Sequence, residues 1–365
     1  MKKKTAAIFF LAVLMAVQTA GCGNESRVSG NEEIEKGAEA AEASVSETEE
    51  KEEGNVLADK KIGVCIYQFN DSFMTLFRSE LESYLINQGF LKENIFILDG
   101  KNDMENQTQQ LDKLIADGVD VLIMNPVKPS LAGEITDKAV AAGIPLVFIN
   151  REPEETEVQR WSENDWKVTY VGCDNRQSGI YQGEMIAELG LERLDRNGNG
   201  KVDYVMVQGD AESNATYLRT QYSVQVLTDA GFEVNCLAEG IGDWQQVKGR
   251  RIVTEALAQY GDDVEVVFCN SDAMALGALE AIETVGLTPG EDIYVVGVDA
   301  LSKALESVLE GKMVGTVLND HFSQSHAAAD AAIRYIVGED NAHYITCDYV
   351  KVTKDNAEDL LDMVK

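Results

Sequence analysis

Short apolar runs alternate with amphipathic stretches from residue 61 to the end of the chain, and this alternation limits the possible folds more than any other feature. The first pair is Ile62–Tyr67, which is typical of a buried strand, and Ser72–Gln88, in which apolar residues recur at helical spacing. Continuous Val, Ile and Leu runs bounded by helices indicate parallel strands that are covered on both faces. The sequence therefore predicts an α/β fold.

The same pattern occurs twice along the chain. The first series of strands ends at Ile144–Asn150, and the polar stretch 152–167 is predicted to be a loop. The second series runs from Val168–Val171 to a strand near Tyr344–Val352 and a last helix at Ala357–Val364. We predict two doubly wound parallel-sheet lobes, with a ligand-binding cleft at the carboxyl ends of their strands.

Polar and aromatic side chains follow the predicted strands, at the edge where the cleft is expected. They are Asp71, Phe73, Asn150, Ser213, Asn214, Arg219, Trp244, Ser271, Asp299 and Asn319. Carboxylates, amides and an arginine fork suit the hydroxyls of a pyranose, and aromatic rings suit its C–H faces. The alternative is that any one of these polar residues only caps the next helix.

The sequence carries no set of residues typical of catalysis. The three histidines lie late in the chain, and no Ser or Cys nucleophile motif accompanies them. Asp71 and Asp299 form a pair of cleft carboxylates that glycoside hydrolysis could use, but nothing indicates that one is kept protonated as a general acid. We therefore interpret them as hydroxyl acceptors and predict a binding protein that is not an enzyme.

The stretch Asp195–Asp203 is similar to the first nine positions of an EF-hand loop, with oxygen ligands at alternate positions and Gly at the sixth. The twelfth position is Met206, which cannot coordinate, so a bidentate acid must come from elsewhere. The predicted ligands of a structural Ca²⁺ are Asp195, Asn197, Asn199, Lys201 (through its carbonyl), Asp203 and Glu265. The alternative is a polar Asn-Gly turn.

The N-terminus predicts export. Three lysines at positions 2–4 precede an apolar run, Ala6–Val17, and small residues then lead to Cys22. This order is typical of a secretory signal, and the run is too short to span a bilayer as a helix. A cysteine directly after Ala-Gly resembles the bacterial lipobox, so residues 1–22 are predicted to be a lipoprotein signal peptide and Cys22 to be acylated. A simple secreted protein is the alternative.

Residues 23–59 hold twelve acids against three bases and no aromatic residue. Such a segment cannot bury enough apolar area to offset the entropy of ordering, so we predict a disordered acidic linker. The whole chain has a formal net charge of −32. Nucleic acid is therefore an unlikely partner, and the lipid anchor is the only predicted contact with the membrane.

The residues now described resemble those of the galactose/glucose-binding proteins of bacterial ABC import and chemotaxis. The resemblance covers nearly all of residues 61–365. The stretches that carry it are Ile62–Tyr67, Asn70–Met74, Val147–Pro153, Gly297–Leu301, Gly315–Asp320 and the Asp195–Asp203 loop. In that family a glutamate that opens a later strand completes the ion site, which matches Glu265.

The resemblance implies a role for each matching residue. Phe73 and Trp244 would stack on the two faces of the sugar. The side chains expected to hydrogen-bond the sugar are Asp71, Asn150, Arg219, Asp299 and Asn319. Ser213, Asn214 and Ala215 stand where the family has a loop with His and Asp, and Ser271 stands where the family has an amide. These departures imply weaker binding, water in place of the missing contacts, or a different pyranose, so the ligand is better described as a sugar than as galactose.

The resemblance also implies an organisation and a function. A sugar-binding lobe would comprise 60–172 and 319–345, and a lobe with the calcium loop would comprise 173–318 and 346–365. The chain would cross between them near Gly172–Asp174, Leu318–Asp320 and Tyr344–Tyr349, and hinge closure would trap the sugar for an ABC transporter permease. A chemoreceptor is a further expected partner. The alternative ligand is a different pyranose, a nucleoside or a signalling furanone.

Overall fold

Two parallel sheets organise residues 55–364, the part of the chain that the computed structural model describes. The predicted α/β fold with parallel sheets is confirmed. The predicted signal peptide, Cys22 and most of the predicted linker lie outside the described residues. Among the described helices, none combines the length and the apolar composition needed to cross a membrane.

The first sheet has six parallel strands in the order β11-β5-β4-β3-β1-β2. Its strands are β1 Ile62–Ile66, β2 Ile95–Asp99, β3 Val121–Met124, β4 Leu146–Ile149, β5 Val168–Cys173 and β11 Tyr344–Cys347. We call this sheet and its helices the first half. The helices are α1 Ser72–Asn87, α2 Met104–Ala116, α3 Ala132–Ala142, α4 Glu155–Glu163 and α11 His321–Ile336. Short 3-10 turns occupy Lys92–Asn94 and Pro129–Leu131.

The second sheet has four parallel strands in the order β7-β6-β8-β9, and an antiparallel pair, β10 and β12, lies beside it. The strands are β6 Val202–Gln208, β7 Val234–Ile241, β8 Val266–Cys269, β9 Tyr294–Val296, β10 Thr316–Asn319 and β12 Tyr349–Val352. These strands and their helices form the second half. The helices are α5 Asn175–Ala187, α6 Leu191–Leu194, α7 Asn214–Asp229, α8 Gln246–Tyr260, α9 Asp272–Thr284, α10 Ser302–Leu309 and α12 Ala357–Val364. A 3-10 turn at Gly261–Asp263 precedes β8.

Both faces of the second sheet are covered, as continuous apolar strands require. On β6, Val205 and Val207 pack into one hydrophobic cluster, while Tyr204 and Met206 pack into another. Successive side chains of a strand point to opposite faces, so the two clusters lie on opposite sides of the sheet. This double burial explains why the strands show no alternation of polar and apolar residues.

The predicted loop at 152–167 is wrong, because the structure places helix α4 there. Trp161 is the only buried residue of this helix, and it stacks on Phe148 at a centroid distance of 5.3 Å. The indole Nε1 of Trp161 donates to Glu157 Oε1 at 2.7 Å. Val158 and Trp161 are the only apolar residues of this helix, which is too few to separate it from a polar loop by sequence pattern.

Two other predicted elements differ from the structure. The single strand expected near Tyr344–Val352 is two strands, with β11 in the first sheet and β12 paired with β10. The helix expected from Trp244 begins at Gln246, because Asp243 and Trp244 have φ of 46° and 62°, in the left-handed region.

The chain passes between the halves at three places. The first follows β5, where α5 begins the second half, and the second lies between β10 and α11. The third is the single residue Asp348, between β11 and β12. These passages lie side by side, because β5 pairs with β11 and β10 pairs with β12.

Candidate ligand-binding site

One cavity lies between the carboxyl ends of the two sheets, and nine of the ten predicted binding residues line it. They are Asp71, Phe73, Asn150, Ser213, Arg219, Trp244, Ser271, Asp299 and Asn319. Tyr67 and Arg151 also line it, and the sequence analysis did not select them. Arg151 directly follows Asn150, so it lies past a predicted strand end, whereas Tyr67 lies inside the first predicted strand, which ends at Ile66 in the structure.

Asn214 is the exception, because its side chain is exposed and lines a neighbouring groove. Its Nδ2 donates to Glu152 Oε2 at 3.3 Å. Asn214 is the first residue of α7, directly after Ser213, and successive helical residues point about 100° apart. Ser213 therefore faces the cavity while Asn214 faces the outer surface.

The two aromatic rings approach the cavity from opposite halves. Phe73 lies in the first turn of α1, whereas Trp244 lies between β7 and α8. The left-handed backbone at Trp244 turns the indole over Gly209, where a Cβ atom would lie 2.0 Å from the ring. The indole position therefore depends on a glycine at residue 209.

Asp71 both caps a helix and faces the cavity. Its Oδ1 accepts from the backbone N–H of Met74 at 2.8 Å, and its Oδ2 accepts from the hydroxyl of Tyr67 at 2.6 Å. Burial, and then the charge of Asp71, raises the pKa of Tyr67 well above its usual value, so the phenol stays a donor. Each carboxylate oxygen has a second lone pair, which leaves an acceptor for a ligand hydroxyl.

Arg219 lines the cavity and has one buried donor that makes no hydrogen bond. Its Nη1 donates to the Asn270 carbonyl at 2.7 Å, and its Nη2 donates to the Tyr349 hydroxyl at 2.9 Å. The buried Nε has no partner. Because a buried donor without a partner costs free energy, Nε is suited to a ligand oxygen.

Asp299 and Asn319 form a fixed polar pair at the base of the cavity. Asn319 Nδ2 donates to Asp299 Oδ1 at 3.2 Å, and Gln324 Nε2 donates to Asn319 Oδ1 at 2.7 Å. Arg219 Nη1 lies 4.0 Å from Asp299 Oδ1. Burial raises the pKa of Asp299 well above its usual range, although the Arg219 charge acts in the opposite direction.

Ser213 and Ser271 occupy N-cap positions without using their side chains as caps. Both line the cavity, and the buried Ser271 Oγ has no hydrogen-bond partner. A serine at an N-cap commonly accepts from the backbone of its helix. These two hydroxyls therefore remain available to a ligand.

Two ion pairs join the halves beside the cavity, and one of them includes the cavity residue Arg151. Arg151 Nη2 donates to Asp210 Oδ2 at 2.8 Å, and Lys128 Nζ lies 3.3 Å from Glu212 Oε1. The guanidinium of Arg151 also lies over the Tyr67 ring, 3.9 Å from its centroid. The structure is thus a conformation in which the halves meet at the rim.

The predicted calcium ligands converge on one loop between α6 and β6. Glu265 Oε1 accepts from Arg196 N at 2.6 Å, and Glu265 Oε2 accepts from Asp203 N at 2.9 Å. Asn197 and Asn199 both direct their amides at Asp203 Oδ2, at 2.9 and 2.6 Å. Asp195 accepts from Asn199 N and Gly200 N, both at 2.9 Å.

This loop is rich in the hard oxygen donors that Ca²⁺ prefers, so the residues fit such an ion by their chemistry. Glu265 precedes β8 rather than opening it, because the strand begins at Val266. Within residues 55–364, however, no group of three or more His, Cys, Asp or Glu side chains is arranged to hold a metal ion. The carboxylates are instead bonded to N–H groups of the loop.

Known proteins match this chain along most of its length. The D-galactose/methyl-galactoside binding periplasmic protein of Haemophilus influenzae is 33% identical over 316 residues, which cover 83% of this chain and 92% of that protein. The ribose import binding protein of Bacillus subtilis is 30% identical over 271 residues, 74% of this chain and 80% of that protein.

Solved structures share the fold. An ABC transporter solute binding protein from Bacillus halodurans, with bound myo-inositol, superposes with a TM-score of 0.72 and is 28% identical. The match covers 84% of this chain and 98% of that chain. The periplasmic binding protein domain family matches residues 62–340. This chain therefore belongs to the periplasmic binding protein domain family, a family of binding proteins and not of enzymes.

Proposed function

We propose that this protein is an extracytoplasmic solute-binding protein that encloses a galactose- or glucose-like hexose and delivers it to an ABC transporter. One observation carries the proposal: Phe73, Trp244 and seven of the polar side chains predicted from the sequence line a single cavity between the two halves. That combination suits a pyranose, which has apolar C–H faces and a rim of hydroxyls. The relatives that bind galactosides and ribose support a sugar as the ligand.

Each half would supply some of the side chains that contact the ligand. The first half supplies Asp71 and Asn150, and the second supplies Arg219, Asp299 and Ser271. Neither group surrounds a ligand alone, so tight binding requires both halves to close on it. Hinge closure of this kind is a common response of bilobed proteins to ligands.

The polar contacts that the second half offers are also compatible with a different hexose or a cyclic polyol. Ala215 lines the cavity without a polar atom, and the hydroxyl of Ser271 has no partner. The similar solved structure that contains myo-inositol supports a polyol as the second candidate ligand. We keep a hexose as the first candidate because both aromatic rings are present.

We also propose a structural Ca²⁺ at the loop between α6 and β6. Asp195, Asn197, Asn199, Asp203 and Glu265 would hold it, together with the carbonyl of Lys201. Bound there, the ion would replace N–H groups as the partner of the carboxylates and would fix the loop to the start of β8. This role is structural, because none of these residues lines the ligand cavity.

The proposed location rests on the N-terminal sequence. Acylation at Cys22 would anchor the protein to the membrane, and the acidic segment 23–59 would extend the folded part away from it. A permease, and possible docking to a chemoreceptor, would be the protein partners.

Isothermal titration calorimetry against monosaccharides, myo-inositol and a nucleoside tests the ligand class. We expect a hexose to bind and Trp244→Ala to weaken it by about 1–3 kcal/mol, because the sugar loses a stacking face. Trp166→Ala is the matched control, since Trp166 is a half-buried indole that lies outside the cavity. Binding of the nucleoside alone, or equal affinity in both variants, would contradict the proposal.

A further inference from the structure

Two cysteines lie side by side where the chain leaves the first sheet. Cys173 is the last residue of β5 and Cys347 is the last residue of β11, and the two are register partners in a parallel pair. Neighbouring strands lie about 4.8 Å apart. That spacing falls within the Cα separation of roughly 4.4–6.8 Å that a disulfide requires.

The two side chains share a face of the sheet. Register partners on parallel strands point to the same side, and both cysteines pack against the hydrophobic cluster that contains Met185 and Tyr349. Cys173 is buried, Cys347 is half-buried, and both are free thiols. The pair therefore has the backbone spacing that a disulfide requires, on the same face of the sheet.

The other described cysteines lack such a partner. Cys65 pairs with Leu98 and Met124, and Cys236 pairs with Tyr204. Cys269 is a buried residue of the second sheet, where its register partner is Val207. Cys173 and Cys347 are therefore the one register-matched pair of cysteines among residues 55–364.

The pair lies at two of the three passages between the halves. The residue after Cys173 is Asp174, the N-cap of α5, and the residue after Cys347 is Asp348, which leads directly into β12. A bond between the two sulfurs would fix these adjacent passages to each other. Any opening of the halves that moves the passages apart or twists them would then be restricted.

We propose that Cys173 and Cys347 are a site of reversible disulfide formation that restrains the hinge. The reaction is a thiol–disulfide exchange with a disulfide oxidant, either a small molecule or a thiol oxidase. The Cys347 thiolate attacks the oxidant and releases one of its sulfurs as a thiol. Cys173 then attacks the mixed disulfide at the Cys347 sulfur and expels the second thiol. The two cysteines lose two protons and two electrons, and the oxidant disulfide is reduced to two thiols.

The order of attack follows from exposure and acidity. Cys347 is the more accessible thiol, and burial raises its pKa to about 11. Burial raises the pKa of Cys173 further, and the neighbouring Cys347 adds to this effect. Since the thiolate is the nucleophile, Cys347 reacts first and the reaction is slow near neutral pH.

The test is peptide mapping of the full-length chain carrying Cys22→Ser, after treatment with oxidised glutathione. We expect a non-reduced digest to contain a peptide that links Cys173 to Cys347, with the loss of two free thiols and recovery of both on reduction. In the oxidised protein we expect a higher melting temperature and a several-fold lower rate of hinge opening, measured by stopped-flow fluorescence; an unchanged or higher rate would contradict the restraint.

Two variants make the assignment specific. Cys236→Ser, at the exposed cysteine of β7, is expected to form the same linked peptide. Cys347→Ser is expected to lose the linked peptide and the response of the melting temperature to oxidant. The proposal is overturned if the parent protein keeps both thiols free, or carries each as a separate mixed disulfide, under conditions in which Cys236 is modified.

Discussion

Arg151 and Asp210 form an ion pair of 2.8 Å across the mouth of the cavity, and each residue belongs to a different half. The side chain of Arg151 is 3% exposed and that of Asp210 is 20% exposed, so solvent screens the pair less than an ordinary surface contact. Opening the halves must separate these two charges. The pair therefore stabilises the closed conformation in addition to any bound ligand.

Asp210→Asn is expected to weaken ligand binding about tenfold, chiefly through faster dissociation, because it leaves the buried guanidinium without a charged partner. Stopped-flow displacement measures that rate. Glu212→Gln removes the partner of Lys128 in a more exposed pair and is the matched control, with little effect expected. Equal dissociation rates in both variants would show that the Arg151 pair does not hold the closed state.

Gly209→Ala is expected to lower ligand affinity without unfolding the protein. The added methyl group would lie 2.0 Å from the indole of Trp244, so the ring must move from its place in the cavity. Gly133→Ala is the control, because the nearest atoms to its added methyl lie at 3.6 and 3.8 Å, an ordinary contact. Calorimetry on the two folded variants distinguishes them, and unchanged affinity in Gly209→Ala would show that the indole position is not needed.

Asp272 is expected to make stability fall as pH rises. Burial raises its pKa from 3.8 to about 7, against the hydrogen bonds from Thr316 and the backbone of Leu301. Between those two values the folded state binds a proton that the unfolded state has released. The contribution of Asp272 to the free energy of unfolding therefore decreases as the pH rises from about 4 to about 7. Above about pH 7 that contribution no longer changes with pH.

Asp272→Asn removes this titration. Denaturant unfolding at several pH values should show the variant gaining stability relative to the parent from pH 4 to 7, by an amount on the order of a few kcal/mol. A difference between the two proteins that stays constant with pH would mean that Asp272 does not titrate in this range.

Chelation is expected to lower the melting temperature while changing ligand affinity much less. The proposed ion holds the loop at Asp195–Asp203 to Glu265, and that loop is remote from the cavity residues. Asp195→Ala should melt at the lower temperature with or without chelator. If chelator leaves the parent melting temperature unchanged, the loop is a polar turn stabilised by its own hydrogen bonds.

Cys22→Ser is expected to release the protein from membranes. Acylation of this cysteine is the proposed anchor, and the described helices include none able to span a bilayer. Fractionation of cells that express the parent and the variant measures the change. Retention of the variant in the membrane fraction would point to another anchor.

The site residues that directly follow buried strands were the easiest to predict from the sequence. Buried parallel strands have continuous apolar runs, so the residue after each run marks the edge of the sheet, and Asp71, Asn150 and Asp299 all follow from that rule. The general fold class follows from the same pattern.

Other features depend on contacts that no local pattern contains. The α4 helix buries the single side chain of Trp161, which stacks on Phe148 of the preceding strand, β4. The direction of Asn214 depends on where α7 begins, since a shift by one residue turns a side chain from the cavity to the surface. The pair of Arg151 and Asp210 joins residues 59 positions apart.

A crystal structure of the protein with a bound hexose would show directly how the ligand is held. We expect the sugar ring to lie in the closed cavity between Phe73 and Trp244, with Asp71, Arg219 and Asp299 on its hydroxyls. A ligand that binds outside this cavity, or one whose ring touches neither aromatic side chain, would contradict this expectation.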